Sequence, residues 1–249
     1  MLPFQSLSLA APAYNEADNL GPLIAAWMEY LAGHFSPGSY EIVICNDGSK
    51  DDTWATLCEL ARQYPALQPC NHTVNQGAAA ALSTAIRHTT MKWVLLLDSD
   101  GQYPIENLER FAEICAREPC PAFIGFRPRK EDSIFARLGS WASGVLCNFF
   151  HGTNYRDFNC ALKLVDGRLL RELTLEAKGL NYSTEISSKI LERGVPMREV
   201  AIIHQPRRKG RSSRSLLRGS MHRFLMVFYI GLRQLLLRLQ VLQRHPYSP

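Results

Sequence analysis

Short apolar runs alternate with longer stretches of helical periodicity, and each run ends in a polar or acidic cluster, which restricts this chain to a sheet built from βα units. Leu7 to Ala11, Glu41 to Cys45 and Trp93 to Leu97 read as strands, the last almost continuously apolar, as a central strand covered on both faces must be. Between them Asp18 to Gly33, Asp51 to Tyr64 and Ala78 to Thr89 carry the helical repeat. Beyond Pro104, a residue suited to a first helical turn, the pattern stays helical to Arg117 and returns to strand at Ala122 to Gly125.

The second half is less regular. Phe126 to Ser133 is a charged loop, Ile134 to Phe150 an apolar helix with Trp141, Phe149 and Phe150, and Cys160 to Val165 a strand. Tyr182 to Arg193 reads as a helix and Met197 to Ile203 as a final strand. Between Arg207 and Arg244 lie ten Arg and Lys residues and no Asp or Glu, so the rest of the chain is net acidic although the whole carries +5. This divides the chain into a catalytic unit, residues 1–211, and a basic amphipathic helical extension, residues 212–249. Seven cysteines without a C-x-x-C pair read neither as a zinc site nor as a disulfide framework, and a start without a basic, apolar leader places the expectation in a reducing cytoplasm. The longest apolar stretch, Phe224 to Leu232, lies between Arg223 and Arg233 and is too short to span a bilayer.

The clusters at the strand ends are where an open α/β sheet binds ligands. Asp98-Ser99-Asp100-Gly101-Gln102 sets two carboxylates two residues apart, a pattern that addresses one hard cation such as Mg²⁺ or Mn²⁺ bridging phosphate oxygens. Pro12-Ala13-Tyr14-Asn15-Glu16 supplies a flat apolar wall and polar hooks of the kind a nucleoside needs. Asn46-Asp47-Gly48-Ser49-Lys50-Asp51-Asp52-Thr53 contains a tight turn, with Asp47 free to accept hydrogen bonds from a base; a structural cap and turn would use the same residues.

Taken in order, Pro12-x-Tyr14-Asn15-Glu16, Asp47-Gly48-Ser49-x-Asp51, Asn75-x-Gly77 and Asp98-x-Asp100-x-Gln102 make the chain similar to the family 2 inverting glycosyltransferases over about residues 7 to 215. More narrowly it resembles the dolichyl-phosphate mannose synthase group and bacterial polyprenyl-phosphate sugar transferases. The resemblance implies a GT-A fold, Rossmann-like, with a mostly parallel twisted sheet covered by helices on both faces. It implies that Pro12, Tyr14, Glu16, Asp47 and Gly77 line the nucleotide-sugar site and that Asp98, Asp100 and Gln102 hold Mg²⁺ or Mn²⁺ against the diphosphate. Gly101 stands where the subgroup usually has an aliphatic residue, which implies a looser loop. Arg127, in Gly125-x-Arg127, and Arg137 resemble residues that face an acceptor phosphate, a polyprenyl phosphate whose chain would lie on Trp141, Leu146 and Phe149. Arg207, Arg211 and Ser212, in the run from His204 to Ser213, resemble a closing loop over the diphosphate, and His204 is a possible further metal ligand.

Asp157-Phe158-Asn159-Cys160-Ala161-Leu162-Lys163 resembles the segment near the acceptor in the same group, and Asp157 is either the general base that a hydroxyl acceptor requires or a group that orients its neighbours, with Glu185 the second candidate base. A phosphate acceptor is already anionic and needs no base. The rival readings are therefore a family 2 enzyme acting on a saccharide or protein hydroxyl, and a non-catalytic binding subunit. The tail from Leu216 to Leu242 suits the headgroup region of an anionic membrane, the catalytic unit itself, or a membrane-anchored partner protein. The expected setting is the cytoplasmic face of a membrane, peripherally bound. Nucleic acid is not an expected partner, because no binding module accompanies the basic run.

Overall fold

The computed structural model describes residues 2–128, 134–177, 181–206, 216–239 and 246–247, with side chains omitted for 134–138 and 216–224. The boundary expected at 211/212 lies outside the described residues. Seven strands form one sheet: β1 (Leu7–Ala13), β2 (Tyr40–Asp47), β3 (Leu67–His72), β4 (Trp93–Leu96), β5 (Ala122–Phe126), β6 (Lys163–Asp166) and β7 (Arg198–Ala201). Their order is β3-β2-β1-β4-β6-β5-β7. Four of the six pairings are parallel, and β6 runs antiparallel to both of its neighbours, β4 and β5. The carboxyl ends of β1 to β5 and β7 therefore meet at one edge of the sheet, and the segment that leads into Lys163 enters at that same edge.

The strands form where apolar residues must be buried on both faces: Leu7, Leu9, Ala10 and Ala11 of β1, Ile42 to Cys45 of β2 and Val94 to Leu96 of β4 are all inaccessible or nearly so. Two elements differ from the sequence expectation. β3 carries Pro69 and lacks alternation, but it is an edge strand, where a missing backbone donor leaves no neighbour unsatisfied. A five-residue helix, Gly167–Arg171, follows β6 directly because the Asp166 carboxylate caps it, accepting from the amides of Arg168 and Leu169 at 2.9 and 3.2 Å.

The remaining helices are α1 (Ala17–His34), α2 (Thr53–Gln63), α3 (Ala78–His88), α4 (Asn107–Arg117), α5 (Ile134–His151), α7 (Tyr182–Glu192) and α8 (Leu216–Arg238), with Gly167–Arg171 as α6. α8 docks on α5 and α7 through a second small core of Cys147, Phe158, Met226, Val227 and Ile230. Gly231 makes this approach possible: a Cβ there would lie 2.7 Å from the Phe150 ring. Polar contacts secure the same seam, with Arg233 Nε and Gln234 Nε2 donating to the Glu192 carboxylate at 2.7 and 2.9 Å. The face opposite this seam is exposed and apolar, comprising Leu225, Phe228, Leu232, Leu235 and Leu239. α5 leaves a stripe of its own exposed, Trp141, Val145, Leu146 and Phe149.

Candidate active site

The first two strand-end motifs are bonded to each other. Asn15 adopts φ 54°, a conformation Asn tolerates better than most residues; its amide donates to Ser49 Oγ at 3.0 Å and its Oδ1 accepts from the Lys50 amide at 2.9 Å. The Glu16 amide donates to Thr53 Oγ1 at 2.9 Å and the Ala17 amide to Asp51 Oδ2 at 3.3 Å. Burial tends to raise the Asp51 pKa, but the Thr53 hydroxyl and amide, then the Ala17 amide, outweigh it and hold the carboxyl below its usual range. This lacing leaves Pro12 and Tyr14 half-buried at the mouth of the β1 end, while Glu16 is buried and accepts from Asn19 Nδ2 at 2.5 Å.

Asp47 departs from the expectation of a carboxylate free for a base. It is 2% exposed; Oδ1 lies 2.9 Å from His72 Nδ1 and accepts from the Gln76 amide at 2.9 Å, and Oδ2 accepts from the Gly77 amide at 2.8 Å. Asp47 thus holds the turn that opens α3, whose cap residue Gly77 sits at φ 96°. Gly48 completes the contact, since a Cβ there would lie 2.5 Å from the Val74 carbonyl carbon.

At the end of β4, Asp98, Asp100 and Gln102 are half-buried while Ser99, Gly101 and Tyr103 between them are buried, so three oxygen-bearing side chains alternate toward the accessible side. Two carboxylates and an amide oxygen are a fitting hard-donor set for Mg²⁺ or Mn²⁺ whose remaining positions phosphate and water would fill. Among the described residues no group of three or more His, Cys, Asp or Glu side chains gathers as an all-protein metal cage. The loop is pinned rather than loose. Ser99 Oγ donates to the Pro12 carbonyl at 2.8 Å, the Gln102 amide to Asp100 Oδ1 at 3.1 Å, and the Gln205 amide to the Gln102 carbonyl at 2.9 Å. Gly101 at φ 73° takes a backbone conformation that an aliphatic residue rarely adopts, so the glycine tightens the turn. His204 packs against the Tyr103 ring at 5.2 Å between centroids.

On the other side of the sheet edge, Arg127 Nε and Nη2 donate to Asp157 Oδ2 and Oδ1 at 2.7 and 3.3 Å. Burial works against the Arg127 charge, but Tyr103 and the bonded Asp157 outweigh it and hold its pKa above the ordinary arginine value. Asp157 is 3% exposed and both of its carboxylate oxygens accept from this guanidinium, which places it to orient Arg127. The pairing also engages one edge of the Arg127 fork, so Arg127 cannot offer that edge to an acceptor phosphate. Glu185 is corrected as a candidate base: it is fully buried, accepts from the amides of Glu176 and Ala177 at 2.7 and 2.8 Å, and pairs with Lys189 at 2.9 Å. The Arg137 side chain and residues Arg207, Arg211 and Ser212 lie outside the described portion.

Two residues that the sequence patterns did not single out stand beside this cluster. The Tyr182 hydroxyl donates to Asp98 Oδ1. Lys163, fully buried, donates to the Cys160 carbonyl and to Ser183 Oγ, the latter at 2.7 Å, and burial lowers its pKa to about 8. Lys163 closes the segment Asp157 to Lys163 whose resemblance pointed to the acceptor side, without a role of its own, and Tyr182 entered only as the start of a helix.

The model of the family described as Glycosyl transferase family 2 matches residues 8–173. A dolichyl-phosphate beta-glucosyltransferase from Trichomonas vaginalis is 38% identical over 106 residues, 41% of this chain and 33% of that protein. An undecaprenyl-phosphate 4-deoxy-4-formamido-L-arabinose transferase from Sodalis glossinidius is 25% identical over 224 residues, 87% of this chain and 65% of that one. The chain thus spans between one third and two thirds of the length of these relatives. Among solved structures, glucosyl-3-phosphoglycerate synthase from Mycobacterium tuberculosis, in complex with Mn²⁺, uridine diphosphate and glucosyl-3-phosphoglycerate, superposes with a TM-score of 0.67 at 16% identity, over 92% of this chain and 80% of that one. That likeness is one of fold, and the fold is GT-A. Matched from its first strand to just past α6, the chain belongs to glycosyl transferase family 2.

Proposed function

We propose that this glycosyltransferase moves a sugar from a GDP- or UDP-sugar to a polyprenyl phosphate at a membrane surface, inverting the anomeric centre. The observation that carries the reading is the outward alternation of Asp98, Asp100 and Gln102 at the β4 end, fastened to the nucleoside-side turn through Ser99 and Pro12. In this reading Pro12 and Tyr14 wall the nucleoside, Glu16 braces that wall, and Asp47 shapes it through Gly77. Asp98, Asp100 and Gln102 hold Mg²⁺ or Mn²⁺, which when bound supplies charge neutralisation to the diphosphate. Arg207, Arg211 and Ser212 cover that diphosphate. A phosphate oxygen of the acceptor attacks the anomeric carbon as the bond to the diphosphate oxygen breaks, and the electron pair leaves on the nucleoside diphosphate. The nucleophile is already anionic, so no protein base is required, in keeping with the clamped Asp157 and buried Glu185. Arg127, aligned by Asp157, and Arg137 set the positive potential on the acceptor side.

The membrane setting draws support from the relatives, whose names carry dolichyl and undecaprenyl phosphate, and from the exposed apolar stripes of α5 and α8. Among the described residues no helix is long and apolar enough to cross a membrane. Contact is proposed to be peripheral, through these stripes and the basic residues of the tail, with a membrane-anchored partner protein as the other occupant of the same face. The test is metal-dependent transfer from radiolabelled GDP- and UDP-sugars to a short-chain polyprenyl phosphate, with wild type beside Asp100→Ala. A lipid-soluble product lost in the variant is expected; donor binding without lipid product from any sugar would overturn the acceptor assignment.

A further inference from the structure

Asp98 is the first of the three half-buried groups after β4, and among the described residues the Tyr182 hydroxyl is the one hydrogen-bond donor to its carboxylate. Tyr182 is the first residue of α7, its side chain is buried, and the two residues stand 84 positions apart in the chain.

The helix end that carries Tyr182 is itself fastened to the acceptor side of the site. Ser183 Oγ donates to the Cys160 carbonyl at 2.5 Å and accepts from Lys163 Nζ at 2.7 Å. Thr184 Oγ1 donates to Asn159 Oδ1 at 2.7 Å, and Ser187 Oγ to the Phe158 carbonyl at 3.1 Å. Lys163 pairs in register with Leu96, two residues before Asp98. The first turn of α7 therefore spans from the Asp157–Cys160 segment to the acidic loop, and Tyr182 is the point where it meets that loop.

We propose that Tyr182 is a positioning residue for the divalent-metal site: by holding one oxygen of Asp98 it fixes the carboxylate rotamer and directs the second oxygen outward, beside Asp100 and Gln102. This rests on the reading of Asp98 and Asp100 as metal-holding groups. A carboxylate on a strand end rotates about two side-chain bonds, and a hydrogen bond to one oxygen removes most of that freedom before the cation arrives. Outer partners of this kind change metal affinity by about 10- to 100-fold when removed. α7 would thereby couple the acceptor side of the cleft to the metal side through a single hydroxyl.

Tyr182→Phe tests this, because the ring refills the same volume and only the hydroxyl is lost. Mn²⁺ binding to the full chain is measured by electron paramagnetic resonance without donor and again with UDP or GDP, with Asp98→Asn as reference. The expected result is an Mn²⁺ dissociation constant raised about tenfold or more in Tyr182→Phe, an unchanged melting temperature without metal, and turnover restored toward wild type at saturating Mn²⁺. A purely structural tyrosine would lower the melting temperature and would not be rescued by metal. Wild-type Mn²⁺ affinity in Tyr182→Phe, with weakened affinity in Asp98→Asn, overturns the positioning role and leaves the metal site standing. Wild-type affinity in Asp98→Asn overturns both.

Discussion

Replacing Asp157 by Asn distinguishes an orienting carboxylate from a catalytic base more sharply than any other single change. The Arg127 and Asp157 side chains are 11% and 2% exposed and meet through two bonds, at 2.7 and 3.3 Å. Opposite charges about 4 Å apart attract by roughly 4 kcal/mol at an effective dielectric of about 20. Removing one partner of such a buried pair leaves the other charge desolvated and typically costs about 3–5 kcal/mol. Asparagine keeps the shape but turns an amide donor toward the guanidinium, so a loss of about 3 kcal/mol is expected, or a melting temperature lowered by about 6–12 °C for a chain of this size. Urea unfolding followed by tryptophan fluorescence reads the loss, and the double change Arg127→Met with Asp157→Leu is expected to recover most of it, because two apolar side chains of similar volume leave no orphaned charge. Turnover per folded molecule with a polyprenyl phosphate should survive in Asp157→Asn. Stability within about 0.5 kcal/mol of wild type together with abolished turnover would refute the argument and restore Asp157 as the base.

Lys163 predicts a pH dependence of stability. Its folded pKa, lowered to about 8 chiefly by burial, lies below the unfolded value of 10.5, so between these the unfolded chain binds more protons and stability rises with pH. Relative to Lys163→Met, wild type should gain about 2 kcal/mol between pH 7 and pH 9.5 in matched urea titrations, and parallel pH profiles would count against it. The exposed face of α8 predicts that Phe228→Ser with Leu235→Ser lowers binding to phosphatidylcholine vesicles containing phosphatidylglycerol at least tenfold without changing the melting temperature, as read by vesicle flotation. Undiminished binding would move the contact elsewhere.

The parts of this protein legible in its sequence are those governed by local pattern. Apolar runs such as Trp93 to Leu97 announce central strands because burial on both faces admits nothing else, and acids at their ends mark the ligand edge because parallel strands all finish there. The family and the acidic loop followed from that local order. β3 was not legible, since an edge strand tolerates Pro69 and needs no alternation. Nor were the partners of the polar groups. Asp47 holds the Gly77 turn, Asp157 clamps Arg127 thirty residues away, Glu185 is a buried helix anchor, and Tyr182 reaches Asp98 across 84 residues. The α8 pattern likewise contains two apolar faces, and only packing against Cys147 and Phe158 determines which one is buried. A side chain's type is written in the sequence, but whether its charge or hydroxyl faces a ligand or another residue depends on which distant segments the sheet brings within hydrogen-bond reach, and that is decided only when the chain has folded.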